Sequence, residues 1–324
     1  MRIATWNVNS IRSRIDRVEA WFARSQVDVL ASKVCSACMK SATPARKAGS
    51  AYRPSAPRPG MLRCSGCRSR APEWRMQPEH VEAWFARSQV DVLAIQESKA
   101  KDEQFPYDRF RALGYEVAHH GVSQWNGVAI ASRIGLDDVQ VGFDGAPGWG
   151  EPATAEARAI GATCGGIRMW SLYVPNGRAL EDPHMAYKLT WLDRLRDQAT
   201  GWAADGTPVA LCGDWNIAPT DDDVWSMEYY ADKSHVSPGE RAAFHAFLDA
   251  GFVDVVRPHT PGPGVYTYWD YQRLAFQKRR GMRIDFVLGS PSLAARVAGA
   301  VIDREERKGT GASDHAPVVV QLDA

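Results

Sequence analysis

Residues 208–219 read Pro-Val-Ala-Leu-Cys-Gly-Asp-Trp-Asn-Ile-Ala-Pro, and the decisive part is Gly213-Asp214-Trp215-Asn216-Ile217-Ala218-Pro219. A short unbroken apolar run of this kind predicts a buried strand. Here the run stops abruptly on a carboxylate and a carboxamide two residues apart. The two-residue period of extended chain puts Asp214 and Asn216 on one face. Polar groups at such a place are costly to bury without partners. They suit the holding of an oxyanion, a metal or an attacking water.

The same pattern recurs along the chain. Asn7 and Asn9 follow Ile3-Ala4-Thr5-Trp6, Glu97 follows Val92-Leu93-Ala94-Ile95, and Tyr173 and Asn176 follow Met169-Trp170-Ser171-Leu172. Asp285 lies within the apolar run Arg283–Leu288, and Ser313-Asp314-His315 precedes a final apolar run, Val318–Leu322. Further strands are expected at Val128–Ser132, Ala159–Cys164 and Arg168–Val174. Helices are expected over 183–204 and 238–250, the second opened by Ser237-Pro238-Gly239-Glu240 and closed by Gly251. Alternating strands and helices with polar residues gathered at strand ends predict a single α/β domain spanning residues 1–324.

No apolar run approaches the roughly 20 residues of a membrane span, and Met1–Asn7 lacks the features of a signal peptide. A cytoplasmic protein with reduced cysteines is expected. The net charge is only +1, but residues 32–75 hold ten Lys/Arg against the single acid Glu73. The remainder is therefore acidic, which fits nucleic-acid binding only if carboxylates hold metal and the basic residues cluster.

One repeat interrupts this order. Val18–Ala31, Val-Glu-Ala-Trp-Phe-Ala-Arg-Ser-Gln-Val-Asp-Val-Leu-Ala, recurs without change as Val81–Ala94. Each copy reads as an amphipathic helix leading into a buried strand, and only the second continues into Gln96-Glu97-Ser98-Lys99. Between them, residues 32–80 form a basic insert poor in apolar periodicity, which predicts low order. Its Cys35-x-x-Cys38 and Cys64-x-x-Cys67 have the paired spacing of a four-cysteine zinc site. The alternative is an accidental reading frame without a fold. Because the second copy alone delivers Glu97 without a break, Val81–Ala94 is expected to fill the core slot. The chain from Ile11 to His80 would then be extruded, exposing Trp21, Phe22, Val29 and Leu30.

Hard oxygen donors at Asn7 and Glu97 suit Mg²⁺, an Asp-supported histidine can orient or protonate a phosphate, and Asp214 can deprotonate water. The ordered segments Thr5-Trp6-Asn7-Val8-Asn9, Gln96-Glu97-Ser98-Lys99, Tyr173-Val174-Pro175-Asn176-Gly177, Gly213-Asp214-Trp215-Asn216, Arg283-Ile284-Asp285 and Ser313-Asp314-His315 resemble those of the exonuclease III family, within the endonuclease/exonuclease/phosphatase superfamily. The resemblance covers residues 1–31 and 81–324. It implies a four-layered α/β sandwich, two packed mixed β-sheets flanked by helices. It implies a nuclease that cuts DNA 5′ to abasic sites and trims or cleans 3′ ends. Partners would be double-stranded DNA with abasic sites, nicks or 3′ ends, with no membrane, and the protein a monomer.

The resemblance further implies Mg²⁺ or Mn²⁺ at Asn7, Glu97 and Asp314, with Asp214 and Asn216 beside it. Tyr173 falls on the leaving-group side, and Asp285 and His315 form a dyad, leaving Asp214 and His315 as alternative general bases. Lys99, Arg158, Asn176 and Arg178 become candidate phosphate contacts, and Asn126 a candidate substrate-binding residue. Tyr268, Trp269 and Met282 would wall a pocket for a flipped-out sugar, although Trp269 reads equally well as a core aromatic. Two other readings remain: a phosphodiesterase of the same fold acting on RNA, inositol or lipid phosphates, and an insert-disrupted, inactive DNA-binding homologue.

Overall fold

The unbroken apolar runs need cover on both faces, and the fold supplies it. The computed structural model describes residues 1–25 and 90–323. Its strands are β1 (Arg2–Asn7), β2 (Val92–Gln96), β3 (Glu116–His120), β4 (Val128–Ser132), β5 (Asp137–Val141), β6 (Ala159–Cys164), β7 (Ile167–Tyr173), β8 (Val209–Asp214), β9 (Val253–Asp254), β10 (Asp285–Gly289), β11 (Val297–Ile302) and β12 (Val318–Leu322). They form two six-stranded sheets among the described residues, ordered β11-β12-β1-β2-β4-β3 and β5-β6-β7-β8-β10-β9. Each sheet is mixed: β1 with β2 and β7 with β8 are parallel, and the other pairs are antiparallel.

Side chains of alternate parity separate into layers. Ile3, Val92 and Ile130 of the first sheet meet Ile160, Met169, Cys212 and Val287 of the second in one inter-sheet core. On the outer face of the first sheet, Ala4, Trp6, Leu93 and Ile95 pack under Ile11, Ile15, Val18 and Trp21 of helix α1 (Ile11–Ser25). On the outer face of the second, Trp170, Leu172, Leu211 and Phe286 pack under helices α2 (Pro183–Ala203) and α3 (Pro238–Asp249) through Trp191, Leu195, Phe244 and Phe247. The expected four-layered α/β sandwich is the observed architecture.

Local signals end the helices where the sequence suggests. Asp182 caps α2 by accepting from the His184 amide, with Pro183 in the first turn. Ser237 and Glu240 form the reciprocal capping box of α3. Among the described residues, no helix is long and apolar enough to cross a membrane. Cys164 and Cys212 are buried free thiols. The insert at 32–80, with Cys35, Cys38, Cys64 and Cys67 and their zinc reading, lies outside the described residues, as do Val29 and Leu30.

The repeat is divided between two structural roles, which corrects the expected extrusion. The chain does not leave the fold at Ile11. The helical part of the first copy belongs to α1, where Val18 and Trp21 are buried. Trp21 meets Trp6 edge to face at 5.5 Å, and its indole N–H donates to Asp303 at 3.2 Å. The strand slot is filled instead from the second copy, through Val90, Val92, Leu93 and Ala94. Identical copies offer the core identical packing, so packing cannot choose between them. Connection does: the first copy follows β1 directly, and the second leads directly to Glu97.

A direct repeat makes this division testable. Deleting residues 26–88 yields the same 261-residue sequence as deleting 18–80, with the same helix and strand now adjacent. The deletion variant is expected to have a Tm at least as high as the full chain, by thermal circular dichroism, and a lower Tm would count against it. Trp21→Ala should cost the full chain about 3–5 kcal/mol, as for other buried tryptophans. An unchanged Tm would mean that the second copy can supply the helix.

Candidate active site

Strand register assembles the site. In the second sheet Asp214 is the Cα partner of Tyr173 on β7 and of Asp285 on β10, so three polar side chains stand abreast at one sheet end. In the first sheet Asn7 pairs with Gln96, which places Glu97 just beyond. Gly213 makes the close strand approach possible: a Cβ there would lie 1.9 Å from the Leu172 carbonyl oxygen.

The two sheet ends meet through side chains. Asn7 donates through Nδ2 to Glu97 Oε1 and to Asp214 Oδ2, both at 2.9 Å. Glu97, Asp214 and His315 present ligand atoms all within 4.8 Å of one another. Lys99 Nζ lies 2.7 Å from Glu97 and donates to Asn9 Oδ1 at 2.5 Å, while Asn9 Nδ2 donates to Asp314 at 2.9 Å. Partly buried carboxylates at Glu97 and Asp314, beside amide oxygens, suit a hard divalent cation. Asp285 Oδ1 is buried without a hydrogen-bond partner, a further sign of excess negative charge.

His315 answers part of that charge. Its Nδ1 is 2.8 Å from Asp285 Oδ2 and its Nε2 3.8 Å from Asp214 Oδ2. Burial alone would lower its pKa, but the carboxylates of Asp285 and Asp214 outweigh burial and push it up to about 10. Burial also raises the Asp214 carboxyl to about 7; His315 opposes that rise, and Asp285 and Glu97 add to it. The Tyr173 hydroxyl is pushed well up by burial and by Glu97 and Asp214. Backbone links fix the loop carrying His315: Ser313 Oγ donates to the Asn7 carbonyl at 2.7 Å, and Trp6 Nε1 to the His315 carbonyl at 3.2 Å.

Asn216 faces another group. Its Oδ1 accepts from Asn176 Nδ2 at 3.1 Å and lies 3.2 Å from His235 Nε2, while its Nδ2 donates to the Val174 carbonyl. With its oxygen engaged there, Asn216 joins Asn176 and His235 rather than the Glu97 cluster. His235 escapes sequence reasoning, because a histidine in a polar loop carries no periodic signal. Burial and the Lys188 ammonium hold its pKa down to about 4, so its imidazole is neutral.

Other expectations divide. The Tyr268 ring packs against His315 at a tilt of 57° with centroids 4.9 Å apart, and with Met282, Arg178, His235, Trp225 and Arg280 it lines an adjoining pocket of about 410 Å³. Trp269 does not line it. Its indole is only 1% exposed and packs with Tyr266 and Phe276, so it is a core aromatic. Arg158 is also corrected: it is buried, bonded to Glu156 at 2.7 Å, and lies under the Tyr173 ring at 5.0 Å. An internal brace replaces the expected phosphate contact. Asn126 donates to the same Glu156, while Arg178 is exposed at the pocket rim.

Ser98, His119 and Asp102 are spaced like a nucleophilic triad, with Ser98 Oγ 2.8 Å from His119 Nε2 and Asp102 Oδ1 2.8 Å from His119 Nδ1. Ser98 is fully buried and out of reach of any substrate. The trio braces the turn that carries Glu97 and Lys99.

The profile of the Endonuclease/Exonuclease/phosphatase family matches residues 62–315. The chain is 31% identical over 257 residues to exodeoxyribonuclease III of Haemophilus influenzae, covering 75% of this chain and 94% of that one. Among solved structures it resembles an AP endonuclease from Archaeoglobus fulgidus, with TM-score 0.75, 30% identity and full coverage of both chains. It also resembles a 3′ phosphatase from Neisseria bound to a product DNA hairpin, with TM-score 0.74, 29% identity and full coverage of both.

The His315 charge state is directly measurable. Its raised pKa stabilises the fold fully below the ordinary imidazole value of 6.5, and the contribution is lost as pH rises through about 10. In metal-free protein, Asp285→Asn is expected to bring the His315 ring titration, followed by NMR, down by more than one unit. An unmoved titration would refute the electrostatic account.

Proposed function

This chain belongs to the endonuclease/exonuclease/phosphatase family, and on that premise we propose a metal-dependent DNA repair nuclease. It cuts the phosphodiester 5′ to abasic sites and removes nucleotides or blocking groups from 3′ ends of duplex DNA. The observation that carries the reading is the register-set cluster of Asn7, Glu97, Asp214, Asp285 and His315 at the common end of two sheets. The names of its relatives, exonuclease, abasic-site endonuclease and 3′ phosphatase, agree with one site releasing a 3′ oxygen from several kinds of phosphate group.

Glu97, Asn7 and Asp314 would hold Mg²⁺ or Mn²⁺. The ion would neutralise charge on the phosphoryl oxygens and the departing oxygen. Asp214 serves as the general base. A carboxyl raised to about 7 is far more basic than an ordinary carboxylate, yet is still substantially ionised near neutral pH. His315 at about 10 is already protonated, so it donates to a phosphate oxygen rather than accepting a proton. Asp285 orients that imidazolium through Nδ1.

Water delivers its oxygen to phosphorus as its proton passes to Asp214, and the bond to the 3′ oxygen breaks on the opposite side. Tyr173 lies on that side, with its hydroxyl bonded to Glu97 and its ring braced by Arg158. Asn176 and Asn216 orient the phosphate, while Lys99, Asn126 and Arg178 meet neighbouring phosphates without reading sequence. Tyr268 and Met282 form part of the wall of the pocket for an extruded abasic sugar, and Arg178 and Arg280 at the same pocket suit its flanking phosphates.

A duplex bearing one tetrahydrofuran abasic analogue tests the reading. Incision 5′ to the analogue is expected with Mg²⁺ and not with EDTA. Glu97→Ala, Asp214→Ala and His315→Ala should each slow it by about 10²–10⁴-fold, the usual scale for general acid–base groups. Absence of metal-dependent incision by folded protein would sink the proposal.

A further inference from the structure

One buried cation beneath the site is not used by the chemistry above. Lys188 sits on α2 with no solvent exposure. Its Nζ donates to Glu240 Oε1 at 2.5 Å, to the Asn216 carbonyl at 2.6 Å and to the Asn176 carbonyl at 3.4 Å. Those three acceptors match the three N–H donors of an ammonium. Glu240 is equally occupied: Oε1 accepts from the His235 amide at 3.0 Å, and Oε2 from Ser237 Oγ at 2.7 Å.

A single ion pair therefore ties together the segments that carry Asn176, Asn216 and His235. Those side chains meet one another at 3.1–3.4 Å. Asn216 and His235 have φ of 50° and 82°, a left-handed backbone that side chains rarely adopt. Apolar packing restrains volume, but a charged hydrogen bond to a carbonyl also restrains the direction of the peptide. Burying such a pair costs several kcal/mol per ion before pairing, and an apolar pair of similar volume is often as stable. Stability alone is thus a weak reason for a lysine here.

We propose that Lys188 is a positioning residue: by pinning the carbonyls of Asn216 and Asn176 against Glu240, it sets the side chains of Asn216, Asn176 and His235 for transition-state contact. The inference rests on the nuclease reading. It predicts a loss in kcat rather than in KM, because the phosphate contacts proposed for Lys99, Asn126 and Arg178 are not held by this ion pair.

Three variants separate pinning from plain structural support. Glu240→Gln keeps one acceptor oxygen, for the Lys188 and His235 side or for the Ser237 cap but not for both, and leaves the carbonyl contacts of Lys188 in place. Lys188→Met removes the pin but strands a buried carboxylate. Combining the two removes both charges. Expected on the tetrahydrofuran duplex with Mg²⁺ are a near-parental kcat for Glu240→Gln and a kcat at least tenfold lower for the double variant. The double variant should show KM within about threefold and Tm close to that of Glu240→Gln.

A parental kcat in the folded double variant would overturn the proposal. So would equal kcat losses in Glu240→Gln and Lys188→Met, which remain comparable if the double variant does not fold. NMR signals of the Asn216 and Asn176 side-chain amides need no substrate. They should move in the double variant and stay near parental in Glu240→Gln, and the reverse also overturns the proposal. Parental protein that cuts no DNA would refute the nuclease reading, while the amide signals would still report on the pin.

Discussion

Two aspartates stand opposite each other where β8 pairs with β10, and the rest of the site follows from that placement. Like charges on directly opposite strand positions oppose pairing. The sheet tolerates them because His315 lies between, touching Asp285 at 2.8 Å and Asp214 at 3.8 Å. At an effective dielectric near 20, a unit charge at 4 Å is worth about 4 kcal/mol. Two such attractions outweigh one repulsion between the carboxylates. His315 arrives on the loop before β12, in the other sheet, so satisfying the aspartates also locks the two sheets together at this end. Elsewhere the sheets meet mainly through apolar side chains, which set spacing but carry no charge, with Ser171 of β7 bonded to Gln96 and to the Ile95 carbonyl of β2.

The first sheet depends on a connection that the repeat lengthens. Parallel pairing of β1 with β2 sets Asn7 opposite Gln96 and so brings Glu97 to the cluster. The path from α1 to β2 is a crossover, and a crossover fixes its ends rather than its length. The core keeps its geometry because one copy provides the helix and the other provides the strand.

Legibility in the sequence follows burial. Val128–Ser132, Ala159–Cys164 and Val318–Leu322 are readable with their observed bounds, because strands covered on both faces are unbroken apolar runs. β3, β5 and β11 are not readable in this way. They are edge or near-edge strands with exposed positions such as Val139, Val141 and Val301, and their mixed composition lacks a clean period. Asn7, Glu97, Tyr173, Asp214 and His315 are legible because each is a polar residue beside an apolar run. Arg158 and Trp269 depart from expectation because residue type does not reveal which way a side chain turns. Lys188 is invisible for the same reason: on a helix, lysine reads as a solvated face. The division of the repeat is illegible in principle, since the two copies are identical and only tertiary connection distinguishes them.

Strain around the site explains why its supports are polar. Asn9, Glu97, Lys99, Asn126, Arg178, Asn216 and His235 all have φ between 46° and 82°. For side-chain-bearing residues this conformation costs roughly 1–2 kcal/mol each. Such a ring persists only where neighbours over-determine it. The turn at Glu97 and Lys99 is held by Ser98 and Lys99 amides donating to the Gly127 and Asn126 carbonyls, with Ser98, His119 and Asp102 behind it. The turn at Asn216 and His235 is held by Lys188 and Glu240. Each brace is directional and, apart from the exposed Asp102, largely buried, and each lies immediately behind residues that face the pocket or the carboxylate cluster. Apolar residues would fill the same space without dictating where a carbonyl points. A site that must aim several donors at one phosphate needs that direction fixed before substrate arrives, because reorienting them during the reaction would raise the barrier.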